Sequence, residues 1–119
     1  MRQTPSNIWD RMFAHPVGAV RISSVVFGEL RYGLEKTPSP RLEIAFQALI
    51  DALTVVKFDR AAAYEFGRLR ATLARAGTPI GPYDLQIAAH ALTHDAVLVT
   101  HNTREYARVP GLRIEDWIA

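Results

Sequence analysis

The run TPIGPYDLQIAAHA, residues 78–91, confines one acidic side chain to the first turn of a helix that must be buried. Pro79, Gly81 and Pro82 exclude a helix before Pro82, because proline lacks the amide donor and its ring clashes with the preceding turn. Beyond Pro82, Leu85, Ile87, Ala88, Ala91 and Leu92 give the small, apolar stripe of a helix packed closely on a sheet. Asp84 falls where the two meet. It either caps the exposed amides, where the helix dipole favours an acid, or belongs to a site.

The other segments repeat this alternation of strand and helix. Asn7 to Ala14 forms a short helix presenting Ile8, Trp9, Met12 and Phe13, ended by His15, Pro16 and Gly18. Ala19–Ser23 (AVRIS) is a short strand. Ser23 or Ser24 then caps a helix to about Lys36, with Val26, Leu30, Gly33 and Leu34 inward and Glu29 within the apolar stripe. Residues 37–40 (TPSP) connect it to a helix outlined by Leu42, Phe46, Leu49, Ile50 and Leu53. Thr54–Phe58 (TVVKF) is a strand, and Asp59 caps a long helix through Ala62, Phe66, Leu69 and Leu73 to a stop at Gly77. Ala96–Thr100 (AVLVT) is an unbroken apolar strand of the kind buried on both faces, and Leu112–Trp117 a last edge strand. Strands separated by helices imply right-handed crossovers and a mainly parallel sheet with helices on both faces, the α/β class. At 119 residues the chain is expected to be a single domain, residues 1–119.

Composition excludes several functions. With no cysteine there is no disulfide framework and no thiolate metal site. No segment approaches the roughly 20 apolar residues of a membrane span, and the N-terminus lacks a signal-peptide core, so a soluble, cytoplasmic protein is expected. Fourteen basic residues against 12 acidic ones announce no polyanion partner, yet only Lys36 and Lys57 are lysines. The remaining twelve are arginines, whose planar fork suits phosphate.

Ligands in parallel sheets gather beyond the carboxyl ends of the strands. Glu29 follows AVRIS, and His101, Asn102, Thr103, Arg104 and Glu105 follow AVLVT. Asp84 lies on the helix that delivers the chain into AVLVT. Two carboxylates and an amide oxygen from Glu29, Asp84 and Asn102 would form a hard-oxygen site suited to Mg2+ or Mn2+ rather than zinc. Each residue also has a plain structural reading. Glu29 can pair with Lys36 or Arg31 on a helix face, Asn102 can be a turn residue, and Glu105 can pair with Arg104 or Arg108. His90 and His94, four residues apart, read as a helix-surface pair, and Trp9, Tyr106 and Trp117 as core or interface fillers. Neither a Gly-rich phosphate loop nor a Ser-His-Asp order is present.

The segments ISSVVFGELRYGLEK, AGTPIGPYDLQIAAHAL, AVLVTHNTREYARVPGL and RIEDW, in this order and spacing, resemble the PIN-domain toxins of VapC type, the ribonuclease halves of type II toxin–antitoxin pairs. The resemblance covers essentially the whole chain. It implies a PIN-like three-layer α/β/α fold and a Mg2+ site (Mn2+ an alternative) built from Glu29, Asp84 and Asn102, with Glu105 as a possible outer ligand. Glu29, Asp84, Asn102 and Glu105 are then the catalytic candidates, and Arg31 and Arg104 candidates for holding the RNA backbone. A cognate antitoxin and a second copy of the chain are the implied protein partners.

One element of the family pattern is absent. No LDTN strand, central in the family's sheet and the source of a further Asp ligand, precedes Met1, which implies that about a dozen residues are missing. Such a chain is expected to cleave RNA poorly. The sequence therefore supports either a Mg2+-dependent endoribonuclease impaired by that loss, or a catalytically inactive PIN-like fragment that binds an antitoxin or RNA.

Overall fold

A computed structural model describes residues 11–12, 14–16 and 18–117. The chain divides into two compact units: residues 15–57, and residues 58–119 together with 1–14. Of the helix expected over Asn7 to Ala14, Arg11 and Met12 are helical, Ala14 lies in a turn, and the rest is outside the described residues.

In the unit of residues 15–57 the elements run β1 (Arg21–Ser23), α1 (Ser24–Lys36), α2 (Pro40–Ala52) and β2 (Thr54–Val56). Ser23 ends β1 and caps α1, its Oγ accepting the Val25 amide at 3.1 Å. Ser39 does the same for α2 with the Leu42 amide at 3.3 Å, and Pro40 occupies the first turn, where its missing N–H is harmless. The two strands pair in parallel, Ile22 opposite Val55. Ile22 and Phe46 are buried, and Phe27 meets Phe46 edge-on with ring centroids 5.3 Å apart.

In the second unit the order is α3 (Arg60–Ala76), α4 (Pro82–Thr93), β3 (Leu98–Val99), α5 (Thr103–Tyr106) and β4 (Ile114–Glu115). Asp59 caps α3 by accepting the Ala62 amide at 3.0 Å. Gly77 ends it at φ 73°, left-handed backbone that side chains disfavour, and the Thr78 amide closes the last turn onto the Leu73 carbonyl at 3.0 Å. Leu69 and Leu73 of α3 pack with Leu85, Ala88 and Ala89 of α4, and Tyr106 and Val109 complete the core. Ala88 and Ala89 are fully buried, which is why the α4 stripe had to be small.

β3 and β4 are parallel, Leu98 opposite Ile114, so both described strand pairs have the expected direction. The strands are shorter than their apolar runs, because only the residues that share ladder hydrogen bonds belong to them. The expectation that AVLVT is buried on both faces does not hold: Val97 is 37% and Val99 40% exposed. Leu98, on the alternate face, packs against the core, as the two-residue period of a strand requires. Among the described residues no helix is long and apolar enough to cross a membrane.

Candidate active site

Helix α4 begins without a side-chain cap. Gly81 holds the cap position and Pro82 the first turn, so Asp84 is not the N-cap residue. Its carboxylate is directed elsewhere: Oδ1 accepts a hydrogen bond from the Tyr106 hydroxyl at 3.0 Å. Asp84 is half-buried, within the turn where the helix dipole favours negative charge.

Glu105, expected as an outer ligand or as a partner of Arg104 or Arg108, lies at the centre of the cluster. Its Oε1 accepts the Gly81 amide at 2.9 Å and its Oε2 accepts Nδ2 of Asn102 at 2.9 Å. The Gly81 N–H, the Asp84 side chain and the Asn102 amide together hold the Glu105 carboxyl below the ordinary glutamate range, against the opposing effect of burial. Asn102 precedes α5, and its amide N–H donates to Thr100 Oγ1 at 3.0 Å. Nearby, Arg108 donates to the Pro79 carbonyl at 3.0 Å. Glu105 and Arg108 thus fasten the loop that launches α4, and Tyr106 its first turn.

The structure therefore brings Asp84, Glu105 and Asn102 together. Asp84 Oδ2 and Glu105 Oε1 both lie beside Gly81, so two carboxylate oxygens converge on one point that a cation can take. Gly81 leaves the space beside them open. A Cβ built there would lie 3.5 Å from Asp84 Oδ2 and 3.8 Å from Glu105 Oε1. Oxygen-only donors around such a gap fit Mg2+ or Mn2+, and the donor set is wrong for zinc.

Glu29 belongs to the other unit, where it is exposed on α1. It does not pair with Arg31, whose guanidinium is taken by Glu43 in a bidentate contact (2.7 and 2.9 Å) and by Glu35 at 2.8 Å. Arg31 also lies over the Phe46 ring, so it braces α1 against α2. Arg104 is exposed beside Glu105 on α5.

The histidines required a correction. His90 is 3% exposed rather than on the helix surface, stacked edge-on against Phe58 with centroids 5.5 Å apart, and 5.2 Å from the ring of His94. It was misplaced because Ile87, three residues earlier on the same helix face, packs on the core and carries His90 inward with it. His101 Nδ1 lies 3.0 Å from Asp116 Oδ2, joining the ends of β3 and β4. Tyr106 and Trp117 are buried, as fillers should be, and Trp9 is outside the described residues. The role of Tyr106 as a partner of Asp84 was missed, although its phenol, one residue after Glu105, required a polar partner once buried.

An α/β protein with parallel strands and paired carboxylates at a helix start has recognisable relatives. The match to the PIN domain covers residues 5–112, and the chain belongs to that family, among its VapC-type toxins. It is 44% identical to the tRNA(fMet)-specific endonuclease VapC of Salmonella typhimurium, over 98% of this chain and 89% of that protein. It is 36% identical to ribonuclease VapC2 of Haemophilus influenzae, over 99% of this chain and 89% of that protein. The crystal structure of DNA-bound VapBC from Salmonella typhimurium superposes with a TM-score of 0.85, covering 95% of this chain and 86% of that one.

Proposed function

We propose that this chain is a divalent-metal-dependent endoribonuclease, the toxin of a type II toxin–antitoxin pair, acting on RNA phosphodiester bonds. The observation that carries this reading is the convergence of Asp84 Oδ2 and Glu105 Oε1 on the space at Gly81. Asp84 and Asn102 would hold Mg2+ or Mn2+, and Glu105 would complete the negative field. The cation, when bound, lowers the pKa of an attacking water and neutralises charge developing on phosphorus.

The protein's own groups do the positioning. Glu105, fixed by the Gly81 amide, orients the Asn102 amide through Nδ2 and leaves Oδ1 for the cation or a water. Arg104 offers a planar fork to the RNA backbone. Arg31 is a poorer candidate for that role, because its donors are already satisfied by Glu35 and Glu43. Since the Salmonella relative is named for tRNA(fMet), structured RNA of the tRNA class is the substrate to assay first.

The reading includes an antitoxin partner and a homodimer. Solved relatives are VapBC complexes, and the unit of residues 15–57 exposes Leu30, Tyr32, Leu42 and Ile44, with Ile44 72% exposed. Apolar residues of that size in solvent mark protein-binding surface. The purified chain should cleave tRNA only weakly, in a way that needs Mg2+ or Mn2+ and stops on adding chelator. Binding of RNA or antitoxin without any chelator-sensitive cleavage would instead favour the inactive, binding-module reading.

A further inference from the structure

We infer that Tyr106 is a positioning residue whose hydroxyl fixes Asp84 for cation binding. The inference rests on the metal-site reading above and assigns a role to a residue outside the ligand set.

Tyr106 occupies two environments at once. Its ring is 4% exposed and forms part of the core with Leu85, Ala88 and Val109. Its hydroxyl emerges at the start of α4 and donates to Asp84 Oδ1 at 3.0 Å. A phenylalanine would fill the same apolar space, so the hydroxyl is what the core alone does not require. Because Oδ1 is engaged by Tyr106, the rotation of the carboxylate is fixed with Oδ2 beside the space at Gly81, the side on which Glu105 Oε1 also lies. Without the hydroxyl, Oδ1 would lose the donor that sets this rotation. With it, the two carboxylates face one point before any cation arrives, and little rotamer entropy remains to be lost on binding. Hydrogen bonds that orient a ligating carboxylate in this way typically change metal affinity about 10- to 100-fold when removed.

The test compares the full chain with Tyr106→Phe and Asp84→Asn, measuring Mn2+ binding by calorimetry, thermal stability without metal, and kcat and KM for RNA. Tyr106→Phe should bind Mn2+ about 10- to 100-fold more weakly and lose kcat with KM for RNA unchanged. An affinity within twofold of the unsubstituted chain overturns the inference, whatever happens to thermal stability. If Asp84→Asn is impaired and Tyr106→Phe is not, only the role of Tyr106 falls. If the unsubstituted chain binds no Mn2+, or Asp84→Asn binds it equally well, the metal reading falls with it. Should Tyr106→Phe not fold, the unsubstituted chain still decides. The NMR signal of the Tyr106 phenol carbon should shift on adding Mg2+, and no shift alongside a moving Asp84 carboxyl signal would contradict the inference.

Discussion

Glu105 and Gly81 are joined by a hydrogen bond of 2.9 Å, carboxylate to backbone amide, across 24 residues of sequence. This bond sets the carboxylate where Asp84 and Asn102 both reach it, and it makes Gly81 part of the site although it has no side chain. Glu105→Gln keeps an acceptor for the amide and removes the charge. Its kcat should fall at least about tenfold while the fold persists, since a ligand field loses a full charge. Cleavage assayed beside thermal unfolding separates the two effects, and unchanged kcat would remove Glu105 from the site.

Gly81→Ala should act by filling space. Its Cβ would meet Asp84 Oδ2 at 3.5 Å and Glu105 Oε1 at 3.8 Å, ordinary contacts that the fold tolerates. The methyl group nonetheless occupies the side on which both oxygens open. Mn2+ affinity should drop with little change in unfolding temperature, and calorimetry on the variant checks this.

The two arginines singled out for RNA should behave differently. Arg104→Ala is expected to weaken RNA binding and lower the salt dependence of log K by about 0.7, the share of one phosphate contact to a single strand. Arg31→Ala should leave that slope unchanged and lower the unfolding temperature, because it releases Glu43 and Glu35. Binding titrations at several salt concentrations distinguish them.

Helix α3 provides a stability test with opposite signs. Gly67 lies inside the helix with open space around its Cα, so Gly67→Ala should stabilise by roughly 0.5–1 kcal/mol. Gly77 has equally open space but φ of 73°, so Gly77→Ala should destabilise by roughly 1–2 kcal/mol through backbone strain alone. Urea unfolding of both variants measures the two values.

The Asp59 cap predicts a pH dependence. Its carboxyl is held below the ordinary range, first by the Ala62 amide and further by the nearby His90 and His94. A lowered folded-state pKa contributes stability that is full above the unfolded value of about 3.9 and is lost as pH falls through the lowered value. Asn at 59 also caps but does not titrate. The stability difference between the native chain and Asp59→Asn should therefore change below about pH 4, as the Asp59 carboxyl takes up its proton.

Sequence alone revealed those parts of the structure whose causes are local. Ser23, Asp59 and Gly77 mark helix ends because a cap or a left-handed residue acts within a few positions, and the structure places each as expected. Asp84 was legible as a candidate because prolines fix where α4 starts. Local pattern could not show that Gly81 would take the cap, that Tyr106 would reach Asp84, or that Glu105 would prefer an amide 24 residues away over neighbouring arginines. Those contacts depend on how α5 docks beside α4, and no spacing along the chain encodes that. The exposure of Val97 and Val99 was hidden for a related reason, since an apolar run does not state what will cover it.

The central claim is that Asp84 and Glu105 act as one cation-binding unit in RNA cleavage. The most direct measurement is a double-mutant cycle on the Mn2+-supported cleavage rate with Asp84→Asn, Glu105→Gln and the combined variant. Groups that act as a unit are strongly non-additive, so the double variant should be no slower than the worse single one. Single effects that multiply in the double variant, or a Glu105→Gln chain as fast as the native one, would show that the two carboxylates do not share a site.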